Sequence, residues 1–402
     1  LEALGIRLGL ERARGLLSKL GDPQLRIPAV LVAGSNGKGS TSALLAGMAT
    51  AAGYRTGHYT SPHLETVEER LRIDGRPISS ERLGDLLARF VDLEPTYFEA
   101  LTVAAFLWFA EENVDLAVIE VGMGGRLDAT NLCAPILSLI TSISLEHQEF
   151  LGDTLAAIAK EKAGSFRSGR PALVWLEEEE PAAAVREVAA TLGTDLRFAN
   201  DLVSLQGEME GWEGQRIHLT TPTRSYDLRI ALLGEHQRRN LALAVLAAET
   251  LAVRGFPRLD AQAIMTGAAA CRWPGRLEVL ELSPGRHLLL DAAHNAEGAA
   301  ALAAFLATLG RPVDLLFGVL ADKAVAEMLD LLVPHVRTLI LTTPPSPRAK
   351  DPAELARLLE GRPDVIIEPD PAKALDRLLA LEGEIAVACG SIYLIGELRG
   401  RL

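Results

Sequence analysis

The stretch AVLVAGSNGKGSTSALLAG, residues 29–47, decides how the rest of the chain is read. The apolar run from Ala29 to Ala33 reads as a buried strand and Lys38 to about Ala52 as a helix, with a glycine-rich turn between them. Glycines at such a turn let backbone amides face a phosphate at the helix N-terminus, where the helix dipole favours negative charge. Lys38 adds a positive point charge, and Ser40 or Thr41 offers a hydroxyl to a phosphate or a metal. Val32 stands where the general phosphate-loop pattern has glycine, and Gly39 separates Lys38 from the hydroxyl residue, so this is a compact variant. The plain alternative is a tight turn carrying a surface lysine; strand, glycines, lysine, hydroxyl and helix in that order argue against it. The expected ligand is the polyphosphate of ATP with Mg2+, held by Gly34, Ser35, Asn36, Gly37, Lys38, Gly39 and Ser40.

Outward from this loop, short apolar runs alternate with helical periodicity, which predicts an α/β protein with parallel strands and crossover helices. Strands are expected at Leu116 to Val121 and Pro135 to Ile143 and a helix at Thr154 to Ala163, with Gly53 and Gly164 as helix stops. Alternating segments between Asp201 and Leu233 predict antiparallel strands beside the main sheet. After CRWPGRLEVLELSPGR a second series begins, with strands at Leu288 to Leu290, Asp314 to Val319, Thr338 to Leu341, Val365 to Ile367 and Ile385 to Ala388. A domain boundary near Gly275 to Leu277 divides the chain into 1–276 and a smaller Rossmann-like domain, 277–402.

Bulk composition sets limits. The 402 residues are 49% hydrophobic and 23% charged, the balance of a folded protein of two domains. No apolar run reaches the roughly 18 residues that cross a bilayer, and the N-terminus lacks a basic segment before an apolar one, so a cytosolic protein without a membrane partner is expected. Three scattered cysteines suggest neither disulfides nor a zinc site. A formal net charge of -13 disfavours nucleic acid as a partner, and anionic ligands then need positive charge concentrated locally by side chains, loop amides or a metal. A monomer is expected.

Several polar residues fall at strand ends. Glu120 closes an apolar strand before the glycines of EVGMGGRLDATN; magnesium coordination and hydrogen bonding to neighbouring amides both fit this segment. His147 lies beyond the next strand, on the phosphate-loop edge if the sheet is parallel, although a lone histidine is more simply a packed residue. Lys162 in AKEKAG reads as part of a solvated helical face. The tract TSPHLETVEERLRIDG, containing Ser61, reads as a loop entering a helix. Further on, Asn240 lies in LLGEHQRRNLALAV, Arg276 in WPGRLE at the presumed hinge, and Asp291 and His294 in LLLDAAHNAEG at a strand end.

Taken in order, GSNGKGS, TSPHL, EVGMGGRLDATN, LEHQEFLG, EKAGSFR, GEHQRRN, WPGRLE, DAAHN and CGSIYL resemble the folylpolyglutamate synthase/dihydrofolate synthase family of the Mur ligase superfamily over nearly the whole chain. The resemblance implies an N-terminal P-loop ATPase domain of the Mur ligase central-domain type and a C-terminal Rossmann-like glutamate-ligase domain. It further implies Ser61, Glu120 and His147 as magnesium ligands, reversing the packed reading of His147. Lys162 falls on the lysine that the family carries as a carbamate, which reverses its surface reading. Asn240, Arg276 and Asp291 match ATP-binding positions, and His294 would lie near the reacting groups. Thr96, in PTYFEAL, and Asp128 resemble pterin-side elements. Ser35 stands for the usual threonine, Glu146 for aspartate, Ser165 for an aliphatic residue and Ala292 for glycine.

The implied reaction is phosphorylation of a pterin-linked carboxylate by ATP, followed by attack of the amine of L-glutamate on the acyl phosphate. The substrate would be dihydropteroate or folate. Alternatives are a peptidoglycan ligase adding an amino acid to a muramyl substrate, and a non-catalytic ATP-dependent regulator.

Overall fold

A computed structural model describes residues 9–359 and 364–402. The run Ala29–Ala33 forms strand β1, every residue of it buried. It is followed by β2 (Thr56–Tyr59), β3 (Leu71–Ile73), β4 (Arg76–Pro77), β5 (Leu116–Glu120), β6 (Pro135–Ile140), β7 (Pro171–Val174) and β8 (Asp195–Phe198). These make one sheet in the order β4-β3-β2-β5-β1-β6-β7-β8. From β2 to β8 all neighbours are parallel. Parallel pairing puts the C-terminal ends of β1, β2, β5 and β6 on one edge, and β1 lies between β5 and β6 although both follow it in sequence. That crossover is the switch point at which an open parallel sheet forms a ligand crevice.

Three details differ from expectation. The strand predicted to reach Ile143 ends at Ile140, because the next residues turn their hydrogen bonds to the phosphate loop. The tract after Ser61 does not enter a helix: a short 3-10 turn, Val67–Arg70, leads into β3, and Asp74 and Gly75, both at positive φ, turn the chain into β4. Asp-Gly at the end of the tract is a hairpin signal that the reading as a loop entering a helix left out. The antiparallel strands β9 (Ser204–Met209), β10 (Gln215–Thr220) and β11 (Ser225–Ile230) form a separate three-stranded sheet instead of extending the main one.

By internal packing the chain forms two compact units. The first comprises 1–208, 216–231 and 237–271; the second comprises 209–215, 232–236 and 272–402. In the second, β12 (Glu278–Ser283), β13 (Arg286–Leu290), β14 (Val313–Phe317), β15 (Val336–Leu341), β16 (Val365–Ile367) and β17 (Ile385–Cys389) form a sheet ordered β12-β13-β17-β14-β15-β16. Only β12 runs antiparallel to its neighbour. Trp212, within the 209–215 segment, stacks on His287 at 4.6 Å between ring centroids. Among the described residues, no helix is long and apolar enough to cross a membrane.

The helix Lys38–Ala51 lies against β2, where His58 is wholly enclosed and its Nε2 is 3.0 Å from Ser42 Oγ. Ser42 already donates its proton to the Gly39 carbonyl, so the histidine Nε2 is the donor. Burial, reinforced by the charge of Arg72, pushes the His58 pKa down to about 3. Below the ordinary histidine pKa of about 6.5 the unfolded chain binds a proton that the fold refuses. His58 therefore contributes stability that is complete above that pH and is lost as pH falls toward 3. Urea midpoints measured from pH 7 to pH 4 should show a shallower acid limb for His58→Gln, by up to about 1.4 kcal/mol per pH unit. Parallel limbs for the two proteins would mean that the folded protein protonates this ring.

Candidate active site

Four strand ends build the site in the first unit. The Gly34–Gly37 turn leaves β1 and is clasped by the chain that follows β6. Ser35 N donates to Ser142 O at 2.9 Å, Ser144 N to Ser35 Oγ at 2.9 Å, and Asn36 N to Ser142 Oγ at 3.0 Å. Thr141 Oγ1 donates to Asn36 O at 2.5 Å. A Cβ on Gly34 would overlap Thr141 Oγ1, and one on Gly37, at φ 83, would overlap Asn240 Oδ1. The glycines are thus required by close approach as well as by backbone conformation. Gln237 Nε2 donates to Ser40 Oγ at 3.2 Å and Asn240 Nδ2 to Gln237 Oε1 at 2.9 Å, tying the helix Glu235–Ala252 to the loop. Thr41 Oγ1 and Ser144 Oγ are buried polar atoms without a partner. Lys38 curls back, its Nζ donating to Gly34 O at 2.8 Å and Ser35 O at 2.9 Å.

Lys162 is the second cation here. Its Nζ donates to Gly34 O at 2.8 Å and Glu146 Oε1 at 2.6 Å, and the residue is 1% exposed. The solvated-face reading of AKEKAG is therefore corrected. Lys160 and Glu161 do pair at the surface, with Glu187 and Arg126, but Lys162 points from the helix Leu155–Ala163 into the sheet edge. Gly164 is not a left-handed stop; a Cβ there would overlap Arg126, so the position serves close packing. Burial would raise the Glu146 carboxyl, but the charges of Lys38 and Lys162 hold it down at about 2.

Glu120 ends β5, 5% exposed, and its Oε2 accepts the Ser61 amide at 3.2 Å. The segment after Ser61 is rigid: Glu69 accepts the amides of Leu64, Glu65 and Thr66, and Arg70 Nε donates to His63 Nδ1 at 2.9 Å. His147 follows β6 at φ 46 and is exposed. Among the described residues, no three His, Cys, Asp or Glu side chains converge as a metal centre. Ser61 and Glu120 instead offer an incomplete set of hard oxygens, which fits magnesium, an ion that keeps water and takes phosphate oxygens as ligands.

Thr96 and Asp128 hold local structure. Thr96 caps the helix Tyr97–Glu111, its hydroxyl donating to Glu99 Oε2 at 2.9 Å. Asp128 gathers its loop: Oδ1 accepts from Thr130 N at 3.0 Å and from Thr130 Oγ1, and Oδ2 from Met123 N at 2.9 Å. Burial pushes its carboxyl up despite these donors. Beside it, a Cβ on Gly122 would overlap the Phe98 ring and lie 3.0 Å from Asp128 Oδ2.

In the second unit, Asp291 follows β13 and is buried, its Oδ2 accepting Leu277 N at 2.8 Å and its Oδ1 accepting Ala293 N at 2.9 Å. Arg276 Nη1 donates to Gly275 O at 2.9 Å. His294 Nδ1 is 3.0 Å from Ala292 O. A carbonyl can only accept, so Nδ1 carries a proton. Thr141, Ser142 and Ser144 were passed over in the sequence; the cluster of hydroxyls in TSIS just past an apolar strand was the available signal.

The Mur ligase middle domain family matches residues 32–248 and the Mur ligase glutamate ligase domain residues 275–392. The chain is 34% identical to the dihydrofolate synthase/folylpolyglutamate synthase of Bacillus subtilis, over 99% of this chain and 96% of that protein. It is similar in structure to E. coli FolC in complex with DHPP and ADP, with TM-score 0.88 and 29% identity over 98% of this chain and 93% of that one. It is also similar to a Yersinia pestis bifunctional folylpolyglutamate synthase/dihydrofolate synthase complexed with AMPPNP and Mn, with TM-score 0.86 and 30% identity over 100% and 95% of the two chains.

The clasp makes Gly34→Ala a direct probe of the loop. Displacing Thr141 and straining the turn is expected to weaken binding of a fluorescent ATP analogue by at least about tenfold, a loss of roughly 1.4 kcal/mol or more. Wild-type affinity in a normally folded variant would show that the turn has room for a methyl group.

Proposed function

The chain belongs to the folylpolyglutamate synthase/dihydrofolate synthase family of Mur ligases, and from this we infer that it is an ATP-dependent ligase joining L-glutamate to a pterin-linked carboxylate. The observation that carries the reading is the phosphate loop with Lys38, set on the same sheet edge as Glu120, whose carboxylate accepts the Ser61 amide. Full-length similarity to enzymes of this name favours it over a muramyl ligase or a non-catalytic regulator.

A carboxylate resists amines because the leaving group would be oxide. Transfer of the γ-phosphate from ATP makes an acyl phosphate and ADP. The glutamate amine then attacks the acyl carbon and phosphate leaves, giving an amide. Bound magnesium neutralises charge on the phosphate oxygens, and the chain's own work is positioning and electrostatic stabilisation. The amides of Gly34 to Ser40 and the Lys38 ammonium hold the phosphates, with Asn240, Arg276 and Asp291 as further nucleotide contacts. Ser61, Glu120 and His147 would hold magnesium, and Lys162, which stands here as an ammonium paired with Glu146, would join them only after conversion to a carbamate, giving up that pairing. His294, whose Nδ1 is engaged with the Ala292 carbonyl, takes on Nε2 of the neutral ring the proton released by the attacking amine. Thr96 and Asp128 hold the pterin side, in the segment 1–276, and 277–402 is the glutamate-ligase domain. Dihydropteroate is the preferred acceptor, with folate extension as a further activity. The negative net charge disfavours nucleic-acid partners and self-association, in keeping with a monomer, and a cytosolic location without a membrane partner completes the reading.

An acceptor panel with L-glutamate, read by ADP release, should show turnover with dihydropteroate and none with a muramyl nucleotide. Lys38→Ala should abolish turnover without loss of fold; turnover with only the muramyl acceptor, or an active Lys38→Ala, contradicts the reading. Gly122→Ala, which intrudes on Phe98 and Asp128, should raise KM for dihydropteroate about tenfold or more while leaving KM for ATP near wild type. An equal rise in both constants would place Gly122 outside the acceptor site.

A further inference from the structure

Around Arg276 the backbone is fixed peptide by peptide. Gly275 N donates to Glu278 Oε2 at 2.9 Å, Gly275 O accepts Ala292 N at 2.8 Å, and Leu277 N donates to Asp291 Oδ2 at 2.8 Å. Leu277 is held at φ 46, a left-handed conformation that a bulky branched side chain avoids unless its surroundings impose it. Glu278 is itself anchored: Arg399 Nε donates to both of its oxygens at 3.0 Å, from the last turn of the helix Ile392–Arg399. The glutamate side chain is 16% exposed, so this pair is screened less than a surface one.

We infer that Glu278 and Arg399 are positioning residues for Arg276: the Arg399–Glu278 pair holds the Gly275 peptide, which with Asp291 sets the strained turn from which Arg276 projects. Two residues of the chain's C-terminal helix and edge strand thereby control a side chain neither of them touches. Removing the Glu278 carboxylate releases the Gly275 amide, lets Leu277 leave its left-handed conformation, and turns the guanidinium away from its working direction. The inference rests on the reading of Arg276 as a nucleotide contact.

The test is a double-mutant cycle on binding of a fluorescent ATP analogue with magnesium, which needs no turnover. Arg276→Ala should weaken binding. Glu278→Ala and Arg399→Ala should each weaken it roughly tenfold, the scale of a lost charged hydrogen bond. Glu278→Ala should add nothing in the Arg276→Ala background, and Glu278→Gln, which keeps an acceptor for Gly275 N, should recover much of the loss. Arg399→Ala leaves the Glu278 acceptor in place and serves if Glu278→Ala does not fold. Wild-type binding by folded Glu278→Ala and Arg399→Ala, or effects that simply add to that of Arg276→Ala, overturns the positioning role. An unaffected Arg276→Ala instead removes the nucleotide reading of Arg276 itself.

Discussion

The hydrogen-bonded clasp between the Gly34–Asn36 turn and the Thr141–Ser144 segment is the constraint on which the site depends. A phosphate loop works by presenting amides whose directions are set before the ligand arrives, because reorganising them on binding would consume the gain. Here that preorganisation comes from the parallel pairing of β1 with β6. The pairing brings two segments more than a hundred residues apart in sequence to one edge, and four hydrogen bonds then fix the turn. The glycines follow from the same contact, since Thr141 and Asn240 occupy the space where side chains would project. The core and the chemistry are therefore linked: burial of every residue in β1 and β5 holds the register that aligns loop, Glu120 and Ser61.

How the charged groups are arranged follows from the same geometry. Lys38 and Lys162 both donate to the Gly34 carbonyl, and Glu146 lies against Lys162. A buried ion pair contributes little net stability, because desolvation offsets the attraction, whereas removing one partner leaves an uncompensated charge costing about 3–5 kcal/mol. An apolar pair of similar volume would hold the fold as well. What this pair does is positional: Lys162 Nζ bridges Glu146 and the Gly34 carbonyl and so holds both charges beside the loop.

What could be read from the sequence divides along the range of the interaction concerned. Strand, turn and helix around residues 29–51 were legible because their determinants are local: apolar run, glycines, periodicity. The parallel series and the second set of strands were legible for the same reason. Lys162 was misread because its neighbours Lys160 and Glu161 are true surface residues, and one helical position decides between solvent and sheet edge. The hairpin at Asp74–Gly75 carried its own local signal, the Asp-Gly pair, which the reading as a loop entering a helix did not use. The hydroxyls of TSIS marked Thr141 and Ser142 as polar residues past a strand, but their roles, like that of Glu278, exist only through partners brought together by the fold. The family resemblance located Ser61, Glu120 and Asp291 by position, but their backbone partners came only with coordinates.

A chain with net charge -13 that handles anionic reactants needs attraction that is local and directional. Over distances beyond a Debye length, about 8 Å at physiological ionic strength, the surplus carboxylates are screened and matter little. Inside that distance the first unit presents oriented amides, the Lys38 ammonium and oxygens suited to a cation, none of which requires a basic surface. The buried carboxylates fit this arrangement, for each has defined work. Glu120 is tied to Ser61, Asp128 shapes its own loop, and Asp291 holds the turn beside Arg276. Acidity in this protein is consequently no obstacle to binding anions, because these buried carboxylates are committed to backbone amides, and Glu146 to lysine.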